Sequence, residues 1–365
     1  MNLDRLDQAF QFAQSTTQHG GLLVARHGYL VYEKYYGRGN REANADMASI
    51  GKAYTSIAAG ITLNEHKTEF PDGLDQKVFT TRYLPAAFPL DDPRKADIKL
   101  GQLLSMSAGF HGEGSNPGFV NGEPRALTSA VHGESSSDLD AVAMHTPLWT
   151  GPGEGYSYSS PSAHAAAVVI RQATGMELQD YLETKLAKPM GWGAWAYCLH
   201  RGNITLPHAN GGGSIAVRST DALRFAYLLL QKGRWGKEQL VPADYVAMCG
   251  RPSPYNSHSP FGLMFEVNAD GHVPGAPRDA FFKSGGGGFG IYVVPSLDLV
   301  IYKMGGNENA YKPELTGLPQ TYSYDGSRDN WKAAPKTQFS NGSEGGDDGV
   351  RRVLEMVVAA VAECH

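Results

Sequence analysis

The strand-like segments of this chain lie near its two ends, and the residues between them are mostly helical in pattern. Residues 21–36 read as two strands around a turn at His27 and Gly28. Further strand-like runs occupy residues 261–267, 291–294 and 299–304. Because adjacent strands joined by turns usually pair antiparallel, we expect both ends of the chain to build one antiparallel sheet.

Amphipathic helices are predicted at both termini, over residues 4–17 and 350–363. The expected fold class is α/β of the α+β type, in which an antiparallel sheet is flanked by the N- and C-terminal helices. At 365 residues the chain exceeds the usual size of a single domain. We therefore expect a sheet lobe from residues 1–60 plus 205–365, a helical lobe from residues 61–204, and an active site between them.

Composition limits the classes of partner. Hydrophobic residues make up 41% and charged residues 19% of the chain, which is typical of a globular protein. The net charge is -5 with no basic block, so no nucleic-acid partner is expected. No apolar run is long enough for a membrane span. Residues 1–11 are too polar and acidic for a signal peptide, which favours a cytoplasmic protein or a secreted or periplasmic one whose signal was removed.

Cysteine and histidine spacing predicts neither a disulfide framework nor a metal site. The three cysteines, Cys198, Cys249 and Cys364, are an odd number without metal-type spacing. The twelve histidines form neither a His-x-x-x-His nor a His-Glu-x-x-His pattern. No metal or cofactor is expected, and the partner is a small-molecule substrate. The polar segment 318–348 is either a lid or a surface excursion.

Ser49 and Lys52 form a Ser-x-x-Lys tetrad at the predicted start of a helix. Residues three apart share a helix face, so the Ser49 hydroxyl and the Lys52 amine can meet. Backbone N–H groups in a first helical turn favour negative charge, and a lysine kept from water has a lowered pKa and can act as a base. The alternative is a surface helix that carries both residues by chance, since about one such match is expected in a chain of this length.

Tyr156 and Tyr158 lie in a segment that ends at Ser160 and follows the glycine-rich turn 151–155. Catalytic residues are common on such constrained loops. A phenol beside a lysine ammonium can exchange protons with a serine and a leaving group. The alternative is a pair of aromatic residues that pack the loop against the helical lobe.

Lys283 and Ser284 precede a glycine run that begins at Gly285. The lysine could bind a substrate carboxylate or keep the site electropositive, and the first two glycines let a substrate backbone approach a strand edge. A backbone N–H from this strand could form an oxyanion hole with that of Ser49. The run also fits G-x-G-x-x-G, but it leads into a strand rather than a helix, so we exclude dinucleotide binding. A glycine-rich hairpin without chemistry is the alternative.

The order Ser-x-x-Lys, Tyr-x-Ser and Lys-Ser-Gly resembles the serine β-lactamase and penicillin-binding-protein superfamily. The most similar branch is the class C-like one, which also holds family VIII carboxylesterases, D-aminopeptidases, DD-peptidases and 6-aminohexanoate-dimer hydrolases. Residues 100–110 and 212–230 resemble two further segments of this family, so the resemblance covers nearly the whole chain. It implies a β-lactamase-like fold.

The resemblance implies a role for each motif residue. Ser49 becomes the acylated nucleophile, with Lys52 as its base or proton relay. Tyr158 becomes the second proton-transfer residue, preferred to Tyr156 because the family usually has an aromatic residue two positions earlier. Either Lys52 or Tyr158 could be the base in acylation. The backbone N–H groups of Ser49 and Gly286 would form the oxyanion hole. Substrate binding is implied for Lys283, Ser284, Gly285 and Ser160.

Ser160 departs from the family pattern, because the tyrosine motif usually ends in Asn. In lactamases that Asn amide contacts substrate amide groups, so the change favours small carboxylic esters or unusual amides. The intact Lys283 points the other way, since many esterases of the family lose it. We therefore expect a serine hydrolase working through an acyl-enzyme. The alternatives are a β-lactamase, a DD-peptidase or D-aminopeptidase, and a non-catalytic binding protein on this scaffold.

Overall fold

The computed structural model describes residues 1–112, 116–127, 136–201, 204–311, 323–324 and 349–361. The polar segment 318–348 lies outside the described residues, apart from 323–324, and so does Cys364. Among the residues described, none of the helices combines the length and the apolar character needed to cross a bilayer.

The strands assemble mainly into one large antiparallel sheet. Their bounds are β1 Gly20–Arg26, β2 Tyr29–Tyr36, β3 Asn44–Asp46, β4 Gly118–Val120, β5 Glu123–Arg125, β6 Trp195–Tyr197, β7 His200–Arg201, β8 Ile204–Thr205, β9 Ile215–Arg218, β10 Arg234–Trp235, β11 Glu238–Gln239, β12 Glu266–Val267, β13 Phe281–Gly285, β14 Phe289–Val294, β15 Leu299–Met304 and β16 Ser323–Tyr324. The six-stranded sheet has the order β12-β13-β14-β15-β1-β2, with every neighbouring pair antiparallel. Both ends of the chain therefore build it, as the sequence predicts.

The helices lie on both faces of this sheet and fill the middle of the chain. Their bounds are α1 Leu3–Thr16, α2 Gly51–Glu65, α3 Leu100–Leu104, α4 Leu139–His145, α5 Ser160–Thr174, α6 Leu178–Leu182, α7 Lys188–Met190, α8 Ser219–Leu230, α9 Ala243–Cys249 and α10 Gly349–Ala359. A π-helical turn, Glu183–Ala187, joins α6 to α7.

The outer face of the sheet is covered by the two terminal helices. Successive side chains of a strand point to opposite faces, so Leu22 and Val24 of β1 face outward together with Ile301 of β15. Leu6 of α1 and Leu354 of α10 pack on them in one buried cluster. This arrangement confirms the predicted fold class, with an antiparallel sheet flanked by the N- and C-terminal helices, both on its outer face.

The inner face of the sheet packs against α8 and is continuous with the helical part of the chain. Leu23 of β1 and Tyr302 of β15 share one buried cluster with Ile57 of α2 and Val169 of α5. The described part of residues 61–204 contains α3 to α7. The lobe boundaries at residues 60 and 205 stay a prediction.

One strand prediction is wrong over most of its length. Residues 261–267 were expected to be extended, but the strand β12 contains only Glu266 and Val267. Met264 has φ +66, a left-handed conformation that a strand cannot contain, and the Gly262 N–H donates to the Phe265 carbonyl oxygen at 2.8 Å. A local turn therefore replaces the first part of the expected strand.

Replacing Leu354 with Ala should destabilise the fold, because this side chain is fully buried between α10 and the sheet. We expect Leu354→Ala to lower the free energy of unfolding by about 2–5 kcal/mol. Arg352→Ala on the same helix should change it by less than about 0.5 kcal/mol, because Arg352 is half exposed. Urea unfolding measures both values. Equal losses in the two variants would contradict this account of the outer face.

Candidate active site

Ser49 lies in a tight 3-10 turn, Ala48–Ile50, directly before α2. Ala48 has φ +47, which residues other than glycine rarely adopt. The turn is held from two sides, because the Ala48 N–H donates to Asp46 Oδ1 at 2.9 Å and the Ser214 N–H donates to the Ala48 carbonyl oxygen at 3.0 Å. Backbone strain of this kind is common at functional sites, where the surrounding contacts maintain it.

Lys52 is completely buried, and its amine lies beside the Ser49 hydroxyl. Nζ donates to Ser49 Oγ at 3.1 Å, to Ser160 Oγ at 2.7 Å and to the Gly212 carbonyl oxygen at 2.5 Å. Burying an amine is costly unless acceptors replace water. Acceptors from three separate parts of the chain therefore fix this amine next to the candidate nucleophile.

Tyr158 lies between the two lysines of the sequence motifs. Lys52 Nζ is 4.8 Å and Lys283 Nζ is 5.0 Å from the centroid of its ring. Cations at such distances over an aromatic face are attracted to it. The structure thus brings together Ser49, Lys52, Tyr158 and Lys283, although 234 positions separate the first from the last.

Tyr156 differs from Tyr158 in its surroundings. It is buried, with its ring 5.4 Å from that of Phe261, and its backbone N–H donates to the Phe119 carbonyl oxygen at 2.9 Å. Burial raises the pKa of Tyr156 well above its ordinary value. Tyr156 therefore packs the loop, whereas Tyr158 faces the two lysines. The role of Tyr158 in proton transfer stays a prediction.

Lys283 and Ser284 both lie beside the carboxylate of Glu266, a contact that was not predicted from the sequence. Glu266, on the neighbouring strand β12, accepts a hydrogen bond from the Ser284 hydroxyl at 2.7 Å. The same oxygen, Oε1, lies 3.9 Å from the buried Lys283 Nζ. An acidic side chain of the protein itself thus lies at the subsite that the sequence assigns to substrate. The only sequence signal for this position of Glu266 was the predicted strand 261–267, and most of that strand does not form.

The end of β13 lies directly against the turn that carries Ser49. A Cβ atom on Gly285 would lie 2.1 Å from the Met47 carbonyl oxygen, so only glycine fits there. Gly286 follows in the turn between β13 and β14. These two strands pair with Lys283 opposite Ile291. The glycine run forms the turn of a hairpin and leads into the strand β14, as the sequence predicts. The pairing of the Ser49 and Gly286 N–H groups in an oxyanion hole stays a prediction.

A second glycine run, Gly211 to Gly213, packs against the turn of Ser49 and the start of α2. A Cβ atom on Gly51 would lie 2.8 Å from Gly213 Cα, and one on Gly213 would lie 2.8 Å from the Ala48 carbonyl oxygen. This close approach brings the Gly212 carbonyl oxygen to Lys52. Three consecutive glycines are a sequence signal for close backbone approach, but their role as acceptors for Lys52 was not predicted.

Metal sites and cysteine thiols are two other kinds of reactive site that the described residues could form. No group of three or more His, Cys, Asp or Glu side chains that could hold a metal ion occurs among them. Cys198 and Cys249 are buried and not in a disulfide, and burial raises the pKa of Cys249 to about 12, so its thiol stays protonated. A serine hydroxyl beside a buried amine, with a phenol between two lysines, has the groups that nucleophilic attack coupled to proton transfer requires.

Solved structures share this fold over most of their length. The chain matches EstCE1, a hydrolase with promiscuous acyltransferase activity, with a TM-score of 0.63 and 19% identity over 88% of this chain and 98% of that one. It matches the octameric penicillin-binding protein homologue from Pyrococcus abyssi with a TM-score of 0.61 and 15% identity, over 93% of this chain and 80% of that one. At these identities the likeness shows the fold alone.

Sequence comparison identifies the family. The Escherichia coli K12 protein named "Putative D-alanyl-D-alanine carboxypeptidase" is 24% identical over 213 residues, which cover 52% of this chain and 46% of that protein. The chain thus matches less than half the length of this curated relative. The family model described as Beta-lactamase matches residues 11–305. This match confirms the resemblance seen in the three motifs, and the chain belongs to the beta-lactamase family of hydrolases.

Proposed function

We propose that this protein is a serine hydrolase that acts through an acyl-enzyme on Ser49, on small carboxylic esters or unusual amides. The observation that carries the proposal is the buried Lys52 amine, whose Nζ lies 3.1 Å from Ser49 Oγ. A serine is a weak nucleophile until a base removes its proton. A buried amine in contact with the hydroxyl provides that base without a histidine or a metal.

Lys52 can take the serine proton when its amine is neutral. Two of its N–H bonds then donate to Ser160 Oγ and to the Gly212 carbonyl oxygen, at 2.7 and 2.5 Å. The tetrahedral nitrogen keeps its lone pair for the remaining direction, toward Ser49 Oγ. As Ser49 Oγ bonds to the substrate carbonyl carbon, its proton passes to Nζ, and the carbonyl oxygen becomes an oxyanion that two backbone N–H groups would hold.

Tyr158 is suited to pass a proton to the leaving group. Lys52 and Lys283 lie within 5.0 Å of its ring centroid, and nearby cations stabilise negative charge on a phenol oxygen. When the oxyanion collapses, the bond to the leaving group breaks and that group takes a proton from Tyr158, which Lys52 replaces. Water then attacks the acyl-enzyme by the same proton transfers in reverse, and this step releases the acid and restores Ser49.

The site favours neutral substrates over substrates with a carboxylate. Ser160 stands where lactamases of the family have an amide side chain, and its hydroxyl is a hydrogen-bond partner of Lys52. Glu266 lies beside Lys283 and Ser284, so this lysine already faces a carboxylate of the protein and is less available to a substrate carboxylate. The intact Lys283 and the name of the E. coli relative favour a β-lactamase or a DD-peptidase or D-aminopeptidase as the second candidate.

Ser49→Ala should abolish turnover of p-nitrophenyl butyrate, because the nucleophile is lost. We expect kcat to fall by at least about a thousandfold, while wild-type protein turns this ester over much faster than nitrocefin. Ser56→Ala, on the helix that follows Ser49, is a matched control, because the Ser56 hydroxyl donates to the Leu263 carbonyl oxygen away from Lys52. Nitrocefin turnover that exceeds ester turnover would establish the second candidate, and turnover of neither substrate would leave a binding protein.

The two neighbouring tyrosines provide a second test. Tyr158→Phe removes the proposed proton-transfer group, so kcat/KM for p-nitrophenyl butyrate should fall by about 10²- to 10⁴-fold. Tyr156→Phe should leave kcat/KM nearly unchanged, because Tyr156 packs the loop through its ring and backbone. Steady-state kinetics with matched circular dichroism spectra measure both effects. A larger loss in Tyr156→Phe would contradict the assignment.

Ser160→Asn tests why esters are favoured. The substitution supplies an amide that can contact a substrate amide, so the ratio of nitrocefin to ester turnover should rise by about tenfold, the worth of one hydrogen bond. Ser160→Ala is the control, because it removes the partner of Lys52 without adding an amide, and it should lower both rates together. An unchanged ratio in Ser160→Asn would show that residue 160 does not decide between ester and lactam.

A further inference from the structure

We propose that His164 is a positioning residue for the reaction of Ser49, because it holds the glycine run that fixes the Lys52 amine. The inference rests on the proposed function and adds a residue outside the three sequence motifs. His164 lies on α5 and is only 2% exposed. Its imidazole does not contact Ser49 or Lys52 in any hydrogen bond of the structure, so it acts through the backbone between them.

The hydrogen-bond partners of His164 fix its protonation state. The Gly211 N–H donates to Nδ1 at 3.1 Å, and a backbone N–H can only donate, so Nδ1 carries no proton. Nε2 lies 2.8 Å from Asp140 Oδ1 and therefore donates its proton to that carboxylate. His164 is thus a neutral imidazole whose two nitrogens have opposite roles, and a protonated ring would lose the bond to Gly211.

Asp140 keeps the imidazole in this tautomer. Burial acts to raise the pKa of Asp140, but hydrogen bonds from His164 and Arg171 outweigh it and hold the pKa well below its ordinary value. The carboxylate is therefore an acceptor at neutral pH, and Arg171 anchors its second oxygen. The hydrogen bond between Asp140 and His164 joins α4 to α5. It leaves Nδ1 of His164 as the acceptor for the Gly211 N–H.

The glycine run transmits this position to Lys52. The Gly211 carbonyl oxygen accepts from Thr55 Oγ1 at 2.8 Å, and the next carbonyl, of Gly212, accepts from Lys52 Nζ at 2.5 Å. Thr55 and Lys52 both lie on α2. His164 thus fixes the peptide that precedes Gly211, and α2 fixes the carbonyl groups of the two peptides that follow it. Without the bond to Nδ1 the Gly212 carbonyl can turn away, and the lone pair of Lys52 no longer points at Ser49.

Two substitutions distinguish the role of Nδ1 of His164 from that of Nε2. In Asn the side-chain oxygen is bonded to Cγ, as Nδ1 is in His, so His164→Asn can still accept from Gly211 while it loses the contact with Asp140. In Gln the amide lies one bond farther out, near the position of Nε2, so His164→Gln can reach Asp140 but leaves the Gly211 N–H without its acceptor. We expect kcat to fall by about thirtyfold in His164→Gln and by less than about threefold in His164→Asn, with KM unchanged in both.

His258 is a matched control for the loss of a buried histidine. Its Nδ1 also accepts a backbone N–H, from Asn121 at 3.0 Å, and its Nε2 donates to the Gly153 carbonyl oxygen at 2.9 Å. Neither partner contacts Lys52 in a hydrogen bond of the structure. His258→Asn and His258→Gln should therefore have the same kcat within about twofold. A difference between them as large as that between the His164 variants would overturn the positioning role.

A spectroscopic measurement separates this inference from the proposed function. The ¹⁵N resonance of Lys52 Nζ, assigned with Lys52→Arg, should shift in His164→Gln and stay in place in His164→Asn. This readout requires no turnover. An unchanged resonance in both variants would overturn the role of His164 even if Ser49 is the nucleophile. A resonance that shifts as expected, in a protein that hydrolyses no ester, would uphold the positioning role and refute the proposed function.

Discussion

The burial of the Lys52 amine is the interaction on which the rest of the site depends. An amine removed from water needs acceptors in place of water, and here Ser49, Ser160 and Gly212 provide them from the turn before α2, the start of α5 and a glycine run. Each of these segments must therefore reach its place for the fold to hold the amine. The hydrogen bonds that offset the cost of burying the Lys52 nitrogen also hold it next to the hydroxyl of Ser49, the candidate nucleophile.

Close backbone packing makes this arrangement possible. Gly51 and Gly213 let α2 approach the glycine run, and Gly285 lets the end of β13 meet the turn before Ser49. A methyl group at any of these positions would collide with backbone atoms. Ala48 takes a left-handed conformation at the same point, where Asp46 and a backbone N–H hold it. The pairing of β3 with β9 brings the turn of Ser49 to this glycine run, although the two are distant in sequence.

Local spacing explains which parts were predictable from sequence. The hairpin, the terminal helices and the Ser49–Lys52 pair depend on residues close along the chain, and the structure forms each of them. The roles of Gly212, Glu266 and His164 were not predicted. Each depends on contacts between segments distant in sequence, as for the 160 positions between Lys52 and Gly212. Strand propensity failed at residues 261–265 because a local turn with a left-handed Met264 overrides the pattern.

The most direct test of the account is to locate the nucleophile chemically. The protein would be incubated with a fluorophosphonate, which forms a stable bond with an activated serine, and the modified peptide would be mapped by mass spectrometry. The account predicts one adduct per chain, on Ser49, and none after Lys52→Met, because the serine then lacks its base. An adduct on another serine, or labelling of Ser49 at the same rate without Lys52, would contradict the central claim that the buried amine activates Ser49.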